Sequence, residues 1–271
     1  MKRLSDALGV SRSHLSESLQ RTPRPRGPYH NTGDAELLCR IKVLVAARPS
    51  YGYRRITALL NRGKKAQERV NHKRVYRVMR DAGLLLPKYS GKVERPHEGQ
   101  VITLQSDLRW CSDMFEIRCW DGDKVHVAFS LDCCDRECIS WVAAPRHLDG
   151  SDVRDLMAQS VEARFGSTEC PHRVEWLSDN GPPYTAHDTR RFGASCGLGV
   201  RNTPAYSPES NGMAEAFVKT FKRDYVYLAD LWDAETVLGL LPTWFADYND
   251  HHPHKGLKML SPTEFRRALA V

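Results

Sequence analysis

Apolar residues recur at helical spacing in the first third of the chain. The pattern covers residues 35–47, 53–61 and 72–82, and it predicts three short helices. Asn71 directly precedes the third pattern, where its side chain is placed to cap the first turn. We therefore expect a helical module over residues 35–86.

Two shorter helical patterns lie within residues 4–20, on either side of Gly9. Gly9 suits the turn between them, and Ser11 is placed as the N-cap of the second. This arrangement predicts a partial helix-turn-helix, and a plain amphipathic hairpin is the alternative. Residues 21–34 are rich in Pro and Gly, so residues 1–34 are interpreted as a partial helix-turn-helix with a linker.

After a second aperiodic linker, residues 87–106, the pattern becomes that of an α/β domain over residues 107–271. Three strands joined by tight turns come first, and helices then alternate with two more strands. The strands are predicted at residues 109–119, 124–133, 138–143, 173–177 and 199–203, and the helices at 151–165, 186–196, 210–228 and 233–249. This order predicts a ribonuclease-H-like core, a mixed five-stranded sheet flanked by helices, with a C-terminal helical tail.

Charge is divided unevenly along the chain, although the net charge is only +7. Residues 1–106 carry 22 Lys and Arg against 8 Asp and Glu, whereas residues 107–271 carry 18 against 25. A basic first part is typical of nucleic-acid binding, because clustered cations displace the counterions of phosphates. The acidic second part would repel DNA unless a cation neutralised some of its carboxylates.

The basic residues most suited to DNA contact lie on the outer faces of the predicted helices. They are Arg12 in the first region and Lys73, Arg74, Arg77 and Arg80 on the third helix of the module. A basic face that is only solvated is the alternative. The sequence has no apolar run long enough to span a membrane and no signal-peptide stretch, so we expect no membrane association and a location inside the cell.

Three carboxylates are placed where the predicted sheet could bring them together. Asp113 lies inside the first strand, Asp179 ends the fourth, and Glu215 lies on the helix over residues 210–228. If the first and fourth strands are neighbours, both aspartates lie close together, and a helix crossing that edge adds the glutamate. Such a cluster is unfavourable without a hard cation, which predicts a divalent-metal site.

Each of these acids also has an ordinary structural interpretation. Asp113 could be a hydrogen-bonded strand residue, Asp179 an Asx-turn residue, and Glu215 a solvated helix residue. Asp132 and Asp135 compete for the ligand roles, since they lie near the end of the second strand.

Three segments around these acids resemble motifs of a known family. WCSD at residues 110–113, SDNGPPY at 178–184 and SPESNGMAEAFVKTFKRD at 207–224 are similar to those of the DDE transposases of the insertion-sequence-three family. The similarity is greatest to its insertion-sequence-two branch and to the OrfB reading frame. Asp179 and Glu215 are separated by 35 residues, which is also the family's spacing and is shared with retroviral integrases.

The resemblance implies an integrase-type core that cleaves DNA at the element's ends and then transfers the freed strand to target DNA. Asp113, Asp179 and Glu215 would be the catalytic residues and would hold two Mg²⁺ ions, for which Mn²⁺ could substitute. Lys222, seven residues after Glu215, matches a basic residue that the family places against donor DNA. Asn211, Lys219 and Lys222 fall on the same helical face as Glu215, so all three are expected to contact DNA.

Partners follow from the same resemblance. They are the element's terminal repeats, target DNA, further copies of the chain assembled on DNA, and an upstream-frame DNA-binding protein to which the family's active enzyme is usually fused. The expected location is the bacterial cytoplasm, in association with the nucleoid. Two alternatives remain open: a regulator that binds the element's ends without cutting, and a nuclease of the same fold that cleaves without joining.

Overall fold

The computed structural model describes residues 2–20, 32–87, 103–202 and 212–269. The chain starts with two short helices, α1 (Lys2–Leu8) and α2 (Arg12–Gln20). Gly9 makes the turn between them with a φ of +64°. The Ser11 hydroxyl accepts a hydrogen bond from His14 N at 3.2 Å, so the predicted N-cap is confirmed.

The next three helices form the helical module. They are α3 (Asp34–Ala47), α4 (Tyr53–Asn61) and α5 (His72–Asp81), with a 3₁₀ turn at Ala66–Glu68. The Asn71 side chain accepts from Lys73 N at 2.9 Å and caps α5 as predicted. The module has its own apolar core, in which the most buried side chains are Ile41, Ile56, Val75 and Met79.

Within the described part of the chain, one five-stranded sheet follows, in the order β3-β2-β1-β4-β5. Its strands are β1 (Arg109–Arg118), β2 (Lys124–Asp132), β3 (Cys138–Ala144), β4 (Val174–Ser178) and β5 (Leu198–Asn202). Strands β1, β2 and β3 pair antiparallel, whereas β4 pairs parallel with both β1 and β5. The predicted ribonuclease-H-like sheet is confirmed, and β1 and β4 are neighbours.

Helices cover both faces of this sheet. On one face lie α6 (Gly150–Phe165), α7 (Pro182–Thr185) and α8 (His187–Ser195), around Trp110 and Trp176. On the other face, α9 (Gly212–Asp224) and α10 (Ala234–His251) pack aromatic side chains onto β1 and β2. This second layer matters for function, because α9 carries Glu215.

The C-terminal segment differs from the expectation. The helix predicted to run to residue 228 ends at Asp224 and is followed by a 3₁₀ turn, Val226–Leu228. After a further turn at Lys255–Leu257, the chain forms a helix that was not predicted, α11 (Pro262–Leu269). Ser261 and Glu264 form its capping box: Ser261 Oγ accepts from Glu264 N at 3.2 Å, and the Glu264 carboxylate accepts from Ser261 N at 2.9 Å.

The helical module is joined to α10, to His252 directly after it, and to α11 by polar contacts. Arg48 pairs with Asp247 through Nη1 and Oδ2 at 2.7 Å, and Tyr51 Oη is hydrogen-bonded to His252 Nδ1 at 2.9 Å. Arg62 Nε lies 2.8 Å from Glu264. No helix in the described ranges is long and apolar enough to cross a membrane.

Candidate active site

Asp113 lies on β1, the middle strand of the sheet, opposite Phe129 of β2. The parallel pairing of β1 with β4 ends at Cys111 and Leu177, two residues before Asp113 and two before Asp179. Because side chains alternate along a strand, Asp113 lies on the same face as Cys111 and Phe115, which is the face that α9 covers. The sheet therefore directs the first carboxylate toward the helix that bears Glu215.

Asp179 follows the last residue of β4 and starts a tight turn. Its Oδ1 accepts a hydrogen bond from Gly181 N at 3.0 Å, as in an Asx turn. A Cβ at Gly181 would lie 3.1 Å from that oxygen, so the glycine leaves room for the carboxylate. Asp179 is therefore a turn residue and a candidate ligand at once.

Glu215 lies in the first turn of α9, and α9 is fixed by its aromatic side chains. Phe217 packs on Phe129 with a centroid distance of 4.3 Å, and Phe221 packs on Phe115 at 5.7 Å. The Glu215 side chain is 44% exposed, and its Oε2 lies 3.2 Å from Lys219 Nζ. The backbone of the third acid is thus anchored, while its carboxylate makes a surface ion pair.

The electrostatics of Asp113 connect the three acids. Burial raises the pKa of Asp113 to about 6, a hydrogen bond from Met114 N opposes this rise, and the negative charges of Asp179 and Glu215 raise the pKa further. The three carboxylates therefore lie within electrostatic reach of one another. Their mutual repulsion would be relieved by a divalent cation, so the donor set fits a hard metal ion.

The arrangement is nevertheless open. Among the residues that the structure describes, no three His, Cys, Asp or Glu side chains lie close enough together to hold a metal ion. In this arrangement the Glu215 carboxylate is paired with Lys219.

The predicted lysines of α9 occupy different environments. Lys222 is half-buried, with Nζ 5.6 Å from the centroid of the Phe115 ring, on the sheet side of the helix. Lys219 is 77% exposed. Asn211, the third predicted DNA contact of this region, lies outside the described residues.

Comparison with known proteins agrees with the fold. Residues 104–208 and 197–262 each match a family described as integrase core domain, and residues 33–92 match one described as HTH-like domain. The chain is 42% identical to the transposase InsD for insertion element IS2A/D/F/H/I/K of Escherichia coli, over 98% of this chain and 91% of that protein. The chain belongs to the insertion-sequence-three family of transposases.

A second relative, the InsD transposase for insertion element IS2D of Escherichia coli strain K12, shows the same 42% identity over the same share of each chain. Among solved structures, the catalytic domain of Mos1 mariner transposase aligns with a TM-score of 0.45 and 20% identity, covering 60% of this chain and 81% of that chain. The catalytic core domain of BIV integrase aligns with a TM-score of 0.42 and 18% identity, covering 60% of this chain and 97% of that one.

Family membership and the integrase core give this transposase its general activity, which is DNA cleavage and strand transfer during transposition. It is accordingly an enzyme of the polynucleotidyl transferase type.

The two competing acids of the transposase have structural roles. Asp132 is fully buried and accepts hydrogen bonds from Asp107 N and Cys134 N, each at 2.7 Å. Asp135 is also buried and pairs with Arg164 at 3.2 Å. Both carboxylates fix the turn between β2 and β3, which explains their presence without a metal.

Three side chains that the sequence did not single out position the aspartates. The buried hydroxyls of Tyr184 and Ser112 are hydrogen-bonded at 2.8 Å, which ties α7 to the residue before Asp113. Asn202 at the end of β5 donates from Nδ2 to the Asp179 carbonyl oxygen at 2.7 Å. Tyr184 and Ser112 lie inside the conspicuous motifs, whereas Asn202 carries no sequence signal, because its role depends on the pairing of β4 with β5.

The basic residues of the helical module are partly engaged within the protein. Arg74 Nε and Arg77 Nη2 each lie 2.7 Å from the carboxylate of Asp34. Arg80 pairs with Asp81 at 2.8 Å, whereas Lys73 and Arg12 are exposed. Arg74 and Arg77 thus join α5 to α3. Asp34 neutralises part of the positive charge that they could offer to DNA.

Proposed function

We propose that this chain is a DDE-type transposase in which Asp113, Asp179 and Glu215 hold two Mg²⁺ ions, for which Mn²⁺ can substitute. The observation that carries the proposal is the placement of the three acids: Asp113 lies on β1 beside β4, Asp179 directly follows β4, and Glu215 lies on α9, which covers the same face of the sheet. A pair of divalent ions on such carboxylates supplies the activation of the attacking oxygen and the stabilisation of the leaving oxygen at a phosphodiester.

The protein's own groups have separate tasks in this proposal. Asp113 is fixed by the pairing of β1 with β2, and Asp179 by the turn to Gly181 and by Asn202. Glu215 completes the set after leaving Lys219. The freed Lys219, together with Lys222 and Asn211, holds the phosphate backbone beside the carboxylates.

The proposed reaction has two in-line displacements. Water first attacks the phosphodiester at the element's end, which breaks the bond to the 3′ oxygen and leaves a free 3′ hydroxyl. That hydroxyl then attacks a phosphodiester of target DNA, forms the new bond and expels the 3′ oxygen of the cut target strand. No covalent enzyme intermediate is formed in either step.

The basic first part of the chain would recognise the element's ends. Arg12, Lys73, Arg74, Arg77 and Arg80 are the proposed contacts, and the domain boundaries proposed from the sequence separate this region from the core at residues 87–106. We further propose that the enzyme acts as a homo-oligomer on DNA, fused to or together with an upstream-frame DNA-binding protein. Its place of action is the bacterial cytoplasm, at the nucleoid.

The test is strand cleavage and joining on a labelled duplex that carries the element's own end, with Mg²⁺ or with EDTA. We expect product only with metal, and none from Glu215→Gln, whereas Glu162→Gln should behave as wild type because Glu162 is an exposed acid of α6. The DNA affinity of Glu215→Gln should be retained.

Other outcomes would identify the alternatives. Binding without cleavage, in this chain and also in a fusion with the upstream frame, would favour the regulator. Cleavage without joining would favour the nuclease. Full activity of Glu215→Gln would remove that residue from the site.

A further inference from the structure

A cleft of about 540 Å³ lies between the helical module and the C-terminal segment. We call it the tail cleft. One wall is formed by α4, the turn after it and the start of α5, and the other by residues 258–260 together with α11. The charged and titratable side chains that line it are Arg54, Arg62, Arg69, His72, Lys258 and Glu264.

The tail cleft has an excess of positive charge. Glu264 is its only carboxylate among the described lining residues, and it is already engaged by Arg62 Nε at 2.8 Å and by Ser261 N at 2.9 Å. Arg62 and Glu264 therefore neutralise one another. Glu264 therefore does not neutralise the charges of the other cations in the cleft.

Three cations of the tail cleft have no carboxylate partner within the described ranges: Arg54, Arg69 and Lys258. Arg54 Nε donates to Tyr53 Oη at 3.1 Å, and Arg69 Nε donates to the Lys64 carbonyl oxygen at 3.3 Å. Both contacts orient a guanidinium without neutralising it. Neighbouring like charges of this kind repel one another, and a bound anion would relieve the repulsion.

The position of Lys258 is determined by an unusual backbone. Lys258 and Met259 both have left-handed φ values, of +55° and +67°. Hydrogen bonds close this loop: Met259 N donates to the His254 carbonyl oxygen at 2.8 Å, and His254 N donates to that of Leu260 at 3.0 Å. Left-handed backbone is unfavourable for side chains with a Cβ and is found preferentially at functional sites and ligand clamps.

We infer that the tail cleft binds the phosphodiester backbone of DNA, with Arg54, Arg69 and Lys258 as the phosphate contacts. The inference rests on the proposed function, because it takes DNA as the ligand. His72, the first residue of α5, lies in the same cleft, so the bound strand continues onto the outer face of α5 at Lys73. DNA would then contact the C-terminal segment of the core and the helical module at the same time.

The salt dependence of DNA binding tests this directly. For duplex DNA, each phosphate contact contributes about 0.9 to the slope of log K against log salt concentration. The full chain is titrated with a labelled duplex of unrelated sequence in EDTA, so that neither cleavage nor base recognition contributes. In the double variant Arg69→Ala with Lys258→Gly, we expect the slope to fall by about 1.8, the equivalent of two contacts.

The matched control is Arg118→Ala with Lys124→Ala. Both residues are exposed on the β1–β2 hairpin and pair with Glu116, so the net charge changes by the same amount far from the cleft in sequence. The control should keep the wild-type slope. Gly suits the left-handed position of Lys258, so the test variant should fold, and its melting temperature is measured to verify this. Arg69→Lys should keep the full slope.

Equal slopes in the test and control variants would overturn the inference. A small-anion site would also overturn it: in that case inorganic phosphate raises the melting temperature of the wild type but not of the test variant, while the slope is unchanged. The result is independent of catalysis. If the test variant has the smaller slope but cleavage does not need Glu215, the tail cleft is retained and the proposed carboxylate site is rejected. If the test variant keeps the wild-type slope and cleavage needs Glu215, only the tail cleft is rejected.

Discussion

Arg55 Nη1 lies 3.2 Å from the carboxylate of Asp224, and this ion pair joins α4 to the last residue of α9. The Asp224 side chain is fully buried, and it also contacts Arg223 and, at 3.5 Å, His252. Since α9 begins near Glu215 and ends at this pair, the helical module is linked through one rigid element to the candidate metal site. The position of the helical module and that of Glu215 are therefore not independent.

Removing this carboxylate should destabilise the protein strongly. Asp224→Ala leaves Arg55 without its partner in a largely buried position, and losing one member of a buried pair costs about 3–5 kcal/mol. Urea unfolding measures the effect. Asp230→Ala, an exposed acid six residues further on, is the control and should change the free energy of unfolding little. Similar losses in both variants would show that the pair does not anchor the module.

Acidification should lower the free energy of unfolding through the buried residue His254. Burial, and then the charges of Arg136 and Arg55, lower the pKa of His254 to about 3 from its usual value near 6.5. The folded protein therefore favours the neutral ring. This preference costs no stability above pH 6.5, and stability is lost as pH falls below 6.5 toward 3, because the unfolded chain binds the proton more readily.

Between pH 7 and pH 5, this histidine should remove about 2 kcal/mol from the free energy of unfolding. Asp113 and Asp132, whose pKa values are raised to about 6, act in the opposite direction, so the difference between variants is the informative quantity. His254→Gln should reduce the loss between the two pH values by that amount. An identical pH dependence in wild type and variant would contradict the assignment.

Replacing each of two helical glycines with alanine should change the stability of the protein in opposite directions. A Cβ at Gly193 in α8 would lie 2.6 Å from Val200 Cγ2 of β5, so Gly193→Ala should destabilise the core by about 1–3 kcal/mol. A Cβ at Gly239 in α10 meets no atom within 4 Å, so Gly239→Ala should stabilise by about 0.5–1 kcal/mol. Thermal unfolding compares them, and Val200→Ala should rescue Gly193→Ala. Failure of that rescue would point to another cause.

The contact between Lys219 and Glu215 should set part of the metal requirement. Lys219→Ala frees the carboxylate, so the Mg²⁺ concentration for half-maximal cleavage at saturating DNA should fall. The change should not exceed about fivefold, because exposed ion pairs contribute at most roughly 1 kcal/mol. Arg191→Ala, which removes an exposed pair with Asp188, is the control. A higher metal requirement in Lys219→Ala would show that the lysine assists the site.

Local patterns explain which parts of the structure could be predicted. The turns between β1, β2 and β3 are short, so their order follows from sequence, and the caps at Ser11 and Asn71 depend on neighbours within three residues. The proximity of Asp113 and Asp179 followed from placing β1 beside β4. Helix α11 was missed, although its capping signal, Ser-Pro-Thr-Glu at residues 261–264, is present in the sequence.

Contacts between distant segments were not predictable in the same way. Arg74 and Arg77 fitted a DNA-facing surface by periodicity, but the structure pairs both with Asp34, about 40 residues earlier in the chain. The link between Arg55 and Asp224 spans 169 residues. Neither pairing produces a periodic pattern in the sequence, because both depend on how α3 and α9 pack in three dimensions.

Because β1 is the central strand of the sheet, the position of Asp113 in the proposed metal site is fixed. A strand that is hydrogen-bonded on both edges cannot slide by one residue without breaking two ladders, and such a shift would turn Asp113 to the opposite face of the sheet. The pairing of β1 therefore fixes Asp113 within the sheet, beside the end of β4 that leads into Asp179. Glu215 is carried by α9, so whether it can join the two aspartates around a metal would depend on how α9 is seated against the sheet.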